Sequence, residues 1–198
     1  MYSKDRAIAY WTMGQRFLRM ANVTSEQLVA TGNPWVVLSD EEISPDNYNE
    51  ETKWSDHNIG IPILFNFYHG IELMLKGTIL FCDNKYKPKT HKFTILIQKL
   101  KEHLNEDSPF IKKIESYTTS PNSIIKNFLD TNQITIDNWY ESLKYPENND
   151  NQEFTHLDLM YNSLRSLDFW KNLSSDSLEI ITLSKKYYLE NRNNHSQS

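Results

Sequence analysis

The stretch that decides the fold is Ile61–Leu100, IPILFNFYHGIELMLKGTILFCDNKYKPKTHKFTILIQKL. From Ile61 to Cys82 it is apolar at most positions, and Leu64, Tyr68, Ile71, Leu75 and Ile79 recur at the three- and four-residue spacing of one helix face. Phe65, Phe67, Leu73, Met74, Leu80 and Phe81 carry apolar cover around most of the remainder. A helix apolar nearly all round is one that other elements pack against. The pattern therefore predicts a central helix over 62–82, about 30 Å long, with Pro62 as its first residue, where a missing N–H costs nothing. Along it runs a polar stripe, Asn66, His69, Glu72 and Lys76. Polar groups on a buried helix need partners. Ile61–Cys82 also has the length of a membrane span, but placing Glu72 and Lys76 in lipid would cost several kcal/mol. The expectation is a helix in a soluble core, with no membrane partner.

Outward from this helix, the loop Lys85-Tyr86-Lys87-Pro88-Lys89-Thr90-His91-Lys92 leads into a second helix, which Thr90 can cap and whose core face is Phe93, Leu96, Ile97, Leu100 and Leu104. Upstream, Ser3 can cap a first helix to about Ala21, with Ala7, Trp11, Gly14, Leu18 and Ala21 on one face. Thr24-Ser-Glu-Gln27 matches a capping box and predicts a separate short helix to Gly32. Trp35–Leu38 reads as a brief extended piece, and Ser39–Asn58, without periodicity, as a long surface loop. Downstream, Ser108-Pro109 and Asn122 each open a helix. Asp137 can cap a short one to Leu143 before Tyr145-Pro146, and Glu147–Glu153 is a loop. Glu153–Tyr161 reads as irregular, Ser163–Asn172 as helix, and Ser175 as the cap of a last helix. Residues 191–198 form a flexible tail. With 5 Gly and 7 Pro in 198 residues, the sum is one all-α domain over 1–198: an up-and-down helical bundle of four to five core helices, preceded by an N-terminal helix and an acidic loop over 1–60.

Charge sharpens the picture. The net charge of -5 argues against a surface that binds nucleic acid everywhere, but the charges are segregated. Ser39–Asn58 holds seven acids against Lys53, whereas Lys85–Lys101 holds six lysines and no acid. The single cysteine, Cys82, can form no internal disulfide and reads as a small buried hydrophobe or, alternatively, a nucleophile. No signal-peptide core is visible at the N-terminus, so the expectation is a cytoplasmic protein. The six histidines show no zinc-type pairing, so no metal and no cofactor is expected.

Gly70-Ile-Glu72-Leu-Met-Leu-Lys76-Gly77 on one helix, a short loop, and then His91-Lys-Phe-x-x-Leu96 resemble the HEPN superfamily of prokaryotic helical domains. Leu143-Lys-Tyr145-Pro146 is similar to the basic-Tyr-Pro turn that many such domains carry. The likeness covers roughly 60–190. It implies a four- or five-helix bundle, often a homodimer through the central helices. It also implies membership of a group that holds metal-independent ribonucleases of toxin and phage-defence systems, non-catalytic partners of nucleotidyltransferases, and nucleotide- or RNA-binding modules. Catalytic members use an Arg with a His four to six residues beyond it. None of Arg6, Arg16, Arg19, Arg165 and Arg192 has that partner; Arg192 and His195 are three apart, in the tail.

Two candidate sites follow. His69, Glu72 and Lys76 share a helix face. Glu72 can orient His69 or His91 as a general base while Lys76 holds an anion, or the group can be a structural network between helices. The loop Lys85, Tyr86, Lys87, Lys89, Thr90, His91 and Lys92 can hold phosphate or RNA at a helix N-terminus, or be a solvated loop. Trp35 and Trp54, if exposed, would mark a partner surface. The leading expectation is a non-catalytic module of a defence or toxin–antitoxin system that binds RNA, a nucleotide or a protein partner. The alternatives are an atypical endoribonuclease using His69, Glu72 and His91, and a purely structural dimerisation domain.

Overall fold

A computed structural model describes residues 3–144, 156, 159–160 and 164–192. Among these, all regular structure is helical: α1 (Ser3–Ala30), α2 (Pro45–Thr52), α3 (Asp56–Cys82), α4 (Phe93–Lys101), α5 (Pro109–Glu115), α6 (Ser123–Asn132), α7 (Ile136–Ser142) and α8 (Leu164–Asn191). The protein is an all-α helical bundle, and none of its described helices is long and apolar enough to cross a membrane.

α3 is the central helix the sequence predicts, with Leu64, Tyr68, Ile71, Leu75 and Ile79 all fully buried. α1 lies antiparallel along it, and glycines set the spacing. A Cβ at Gly70 would sit 2.7 Å from Cγ of Leu18, and one at Gly77 would sit 2.9 Å from Cδ1 of Trp11 and 3.1 Å from the Ala7 carbonyl. Any side chain there would push the helices apart. α8 packs antiparallel to α1, where Nδ2 of Asn22 donates to Oγ of Ser174 at 2.8 Å and the Trp11 and Tyr188 rings meet edge-on at 5.3 Å. It therefore runs parallel to α3. Trp170 Nε1 reaches Asp56 Oδ2 at one end (3.3 Å), and Cys82 Sγ meets the Tyr187 hydroxyl at the other (3.2 Å). A parallel pair cannot be joined by a short turn, and the short helices α4–α7 lie in the connection that returns the chain.

Several boundaries differ from expectation. α1 is one helix, not two: the Thr24 hydroxyl bonds back to the Met20 carbonyl at 2.6 Å instead of capping. Ala21, Ser25 and Leu28, all fully buried, continue the inner face past that point. α1 ends beyond it in two left-handed residues, Gly32 (φ 74) and Asn33 (φ 54). The buried Asn33 amide then bonds both Oδ2 and the backbone N–H of Asp56, each at 2.7 Å, tying the end of α1 to the start of α3. α3 accordingly starts at Asp56, and Pro62 lies inside the helix. The acidic stretch is not all loop. Ser44 caps α2 by accepting from Asn47 N at 3.2 Å, with Pro45 and Asp46 in the first turn, the residue types that position favours. Trp35–Leu38 has no regular structure; Trp35 is exposed and Trp54 half-buried.

The caps around α4 and α7 are also rearranged. Thr90 does not cap α4; its hydroxyl accepts from Lys92 N at 3.2 Å within the loop. The cap comes from Asp137, whose carboxylate accepts from Phe93 N and from the Thr94 hydroxyl, each at 2.6 Å. Thr135 caps α7 itself, accepting from Asn138 N at 3.2 Å. α8 is continuous through Ser175, whose hydroxyl bonds the Asn172 carbonyl at 3.0 Å. The predicted caps at Ser108 and Asn122 do stand at the starts of α5 and α6, Asn122 with a side-chain bond to Ile125 N. Tyr145-Pro146, the Glu147–Glu153 loop and His195 lie outside the described residues.

Candidate functional site

Glu72 is the hub. Helical spacing on α3 places His69 one turn before it and Lys76 one turn after, and its side chain is 1% exposed. Oε1 accepts from the Lys76 ammonium at 2.6 Å and from Nδ1 of His91 at 3.0 Å. Oε2 accepts from the Tyr140 hydroxyl of α7 at 2.7 Å. Nδ1 of His69 lies 2.8 Å from the Tyr140 oxygen and 3.8 Å from Oε2 of Glu72. Three elements meet here: α3, the end of the 83–92 loop, and α7.

Donor and acceptor bookkeeping fixes the protons. A carboxylate only accepts, so His91 donates to it from Nδ1. Tyr140 has one hydrogen and gives it to Glu72, so its oxygen accepts from Nδ1 of His69. Each imidazole thus carries its proton on Nδ1, and the neutral ring presents a bare Nε2. Neither Nε2 has a partner among the described residues. The His69 ring is further fixed by stacking on Phe65 (5.5 Å, 7° between planes) and by the edge of Phe17 at 4.5 Å. The side chains of His69 and His91 are 26% and 55% exposed, so both reach solvent above a sealed carboxylate.

Burial favours the neutral form of Glu72, but the nearby His69 ring N–H, the hydrogen bonds from Lys76 and Tyr140 and the charge of Lys76 outweigh it and hold the carboxyl at about 2. Burial, and then the Glu72 charge and hydrogen bond, push the Tyr140 hydroxyl well above its ordinary value, so it keeps its proton. The Lys76 side chain is 4% exposed and its ammonium is engaged with Glu72. Asn66 lies half-buried on the same helix.

The loop beside this hub is basic and unneutralised. Lys85, Lys87, Lys89 and Lys92 are exposed, and none pairs with a carboxylate among the described residues. Asp83 shapes its start by accepting from Lys85 N at 2.9 Å. Between the lysines, the Tyr86 hydroxyl is buried and has no hydrogen-bond partner among the described residues. Burial, then Tyr10 and Glu72, push that hydroxyl upward, so it remains a donor. The α4 N-terminus, where the sequence suggests free amides for an anion, is taken by Asp137. Cys82 is half-buried against Tyr187, and burial pushes its thiol upward, away from the thiolate form a nucleophile needs.

The structure therefore joins His69, Glu72, Lys76 and His91 into one cluster and sets the lysine loop beside it. Sequence reasoning misses Tyr140, 68 residues from Glu72. The available signal is the Trp139-Tyr140 pair on a short helix, since a buried tyrosine needs a partner for its hydroxyl. No family model, no curated protein and no solved structure matches the chain.

Proposed function

We propose that the chain is an RNA-binding module that meets single-stranded RNA through the Lys85–Lys92 loop. The observation that carries this reading is the set of four exposed lysines with no carboxylate partner among the described residues, in a loop tied to the Glu72 hub through His91. Lysines that neutralise phosphates release counterions, which makes binding steeply salt-dependent. With a net charge of -5 on the chain, only such a local patch draws a polyanion. The HEPN resemblance supports the same reading and adds a homodimer or a protein partner such as a nucleotidyltransferase in a prokaryotic defence setting. Fluorescence anisotropy with a labelled oligoribonucleotide tests the binding. The wild type binds at about 50 mM salt and loses affinity roughly as a power of salt concentration, and Lys87→Glu/Lys89→Glu/Lys92→Glu abolishes it. A wild type that binds no RNA at low salt refutes the proposal.

A second reading is favoured by the two Nε2 atoms that have no partner among the described residues: metal-independent cleavage of that RNA. One imidazole takes the proton of a ribose 2′-OH as its oxygen attacks phosphorus. The other imidazole, protonated, gives a proton to the departing 5′-oxygen, leaving a 2′,3′-cyclic phosphate. Incubation with RNA in chelator checks it: cleavage is lost in His69→Ala and in His91→Ala, and at a 2′-deoxy position. Absent cleavage removes this reading and leaves the binding proposal standing.

A further inference from the structure

We propose that a groove between α1 and α8 binds a small aromatic monocarboxylate. The groove has a volume of about 210 Å³. An apolar cavity of about 150 Å³ suffices for benzene, so this one has room for a ring and a short acidic arm. Its apolar walls are Trp11 and Tyr188, with Ile8, 46% exposed, at the opening. The Trp11 ring is held in place from behind, its N–H bonded to the Thr78 hydroxyl at 3.0 Å and its face set edge-on to Tyr188. A rigid aromatic wall of this kind loses little freedom when a second ring packs on it.

The polar lining selects the ligand's charge. Lys185, Thr12 and Gln15 line the same groove beside Tyr188. None of the four side chains has a hydrogen-bond or ion-pair partner among the described residues. All four can donate, and among the described residues no carboxylate lines the groove. A few convergent polar groups over an apolar floor are the usual build of a small-molecule site. Here they present one ammonium and neutral donors, which complements a carboxylate on an aromatic body. None of these residues belongs to the Glu72 cluster or the lysine loop, so the groove is independent of the RNA reading.

Titration of the ¹⁵N-labelled protein with phenylacetate tests the assignment. The Trp11 indole N–H signal shifts and saturates with a Kd near or below about 1 mM. Phenylacetamide, which has the same shape without the charge, binds about tenfold more weakly, and so does phenylacetate to Lys185→Gln, the loss expected for one charge-assisted bond. Lys185 is exposed, so this variant folds. The Lys87→Glu/Lys89→Glu/Lys92→Glu protein binds phenylacetate as the wild type does, which separates this site from the RNA loop. No saturable shift up to about 20 mM, or equal binding of acid and amide, overturns the proposal.

Discussion

The protein contains two carboxylates dressed almost identically. Glu72 holds the Tyr140 hydroxyl at 2.7 Å and the Lys76 ammonium at 2.6 Å; Asp176 of α8 holds the Tyr117 hydroxyl at 2.8 Å and the Lys113 ammonium at 3.0 Å. Both trios tie a short helix segment to a long helix. They differ in depth and in what is added. Asp176 is 19% exposed, and its lysine also pairs with Glu179, a half-exposed surface acid. Glu72 is sealed and adds two histidines, one through Tyr140 and one directly. A Tyr–carboxylate–Lys trio is thus compatible with a plain fastening. The imidazoles make the Glu72 trio a candidate for chemistry, because they carry its charge pattern out to atoms a substrate can touch.

The largest expected contrast is in the lysines. Lys76→Met leaves an ionised carboxylate buried without its cation and costs about 3–5 kcal/mol. Lys113→Met leaves Asp176 partly solvated and costs about 1 kcal/mol. Urea unfolding reads both, and equal losses would erase the distinction of depth. Next comes acid. Because the Glu72 carboxyl is held at about 2, below its unfolded value of about 4.3, its contribution is complete above pH ~5 and is lost as pH falls towards 2. Wild type should therefore lose on the order of 3 kcal/mol more than Glu72→Gln over that interval. Parallel acid curves for the two proteins would mean the carboxylate is not held as an ion pair. The smallest contrast in stability comes from Tyr140→Phe and Tyr117→Phe, which cost about 1–2 kcal/mol each. These two sharpen the comparison through activity: if RNA is cleaved, Tyr140→Phe slows cleavage about tenfold or more, as loss of a residue that orients the general base would, while Tyr117→Phe leaves it unchanged. An equal slowing in both would trace the loss to general damage.

What was legible in the sequence was local. The buried stripe of α3, the Glu72–Lys76 pair and the inner face of α1 from Ala7 to Ala21 all follow from helical spacing, because their partners lie within two turns or on one continuous face. The hidden parts come from tertiary context. The capping box at Thr24 is a sound local signal, overridden because Ser25 and Leu28 extend a face that α3 and α8 already cover. Ser44-Pro45-Asp46 is a helix start that the surrounding acids obscured. Asp137 looks like the cap of its own helix but serves α4, 44 residues away. Tyr140 escaped for the same reason: nothing in its neighbourhood names Glu72 as its partner.

Asp137 and Tyr140 are three residues apart on α7, a helix of seven residues. One end of this short element closes the first turn of α4, and the next turn supplies the hydroxyl between Glu72 and His69. Both attachments therefore come undone together whenever α7 lifts away. Hydrogen exchange should therefore show the amides at the start of α4 and those of α7 opening as one unit.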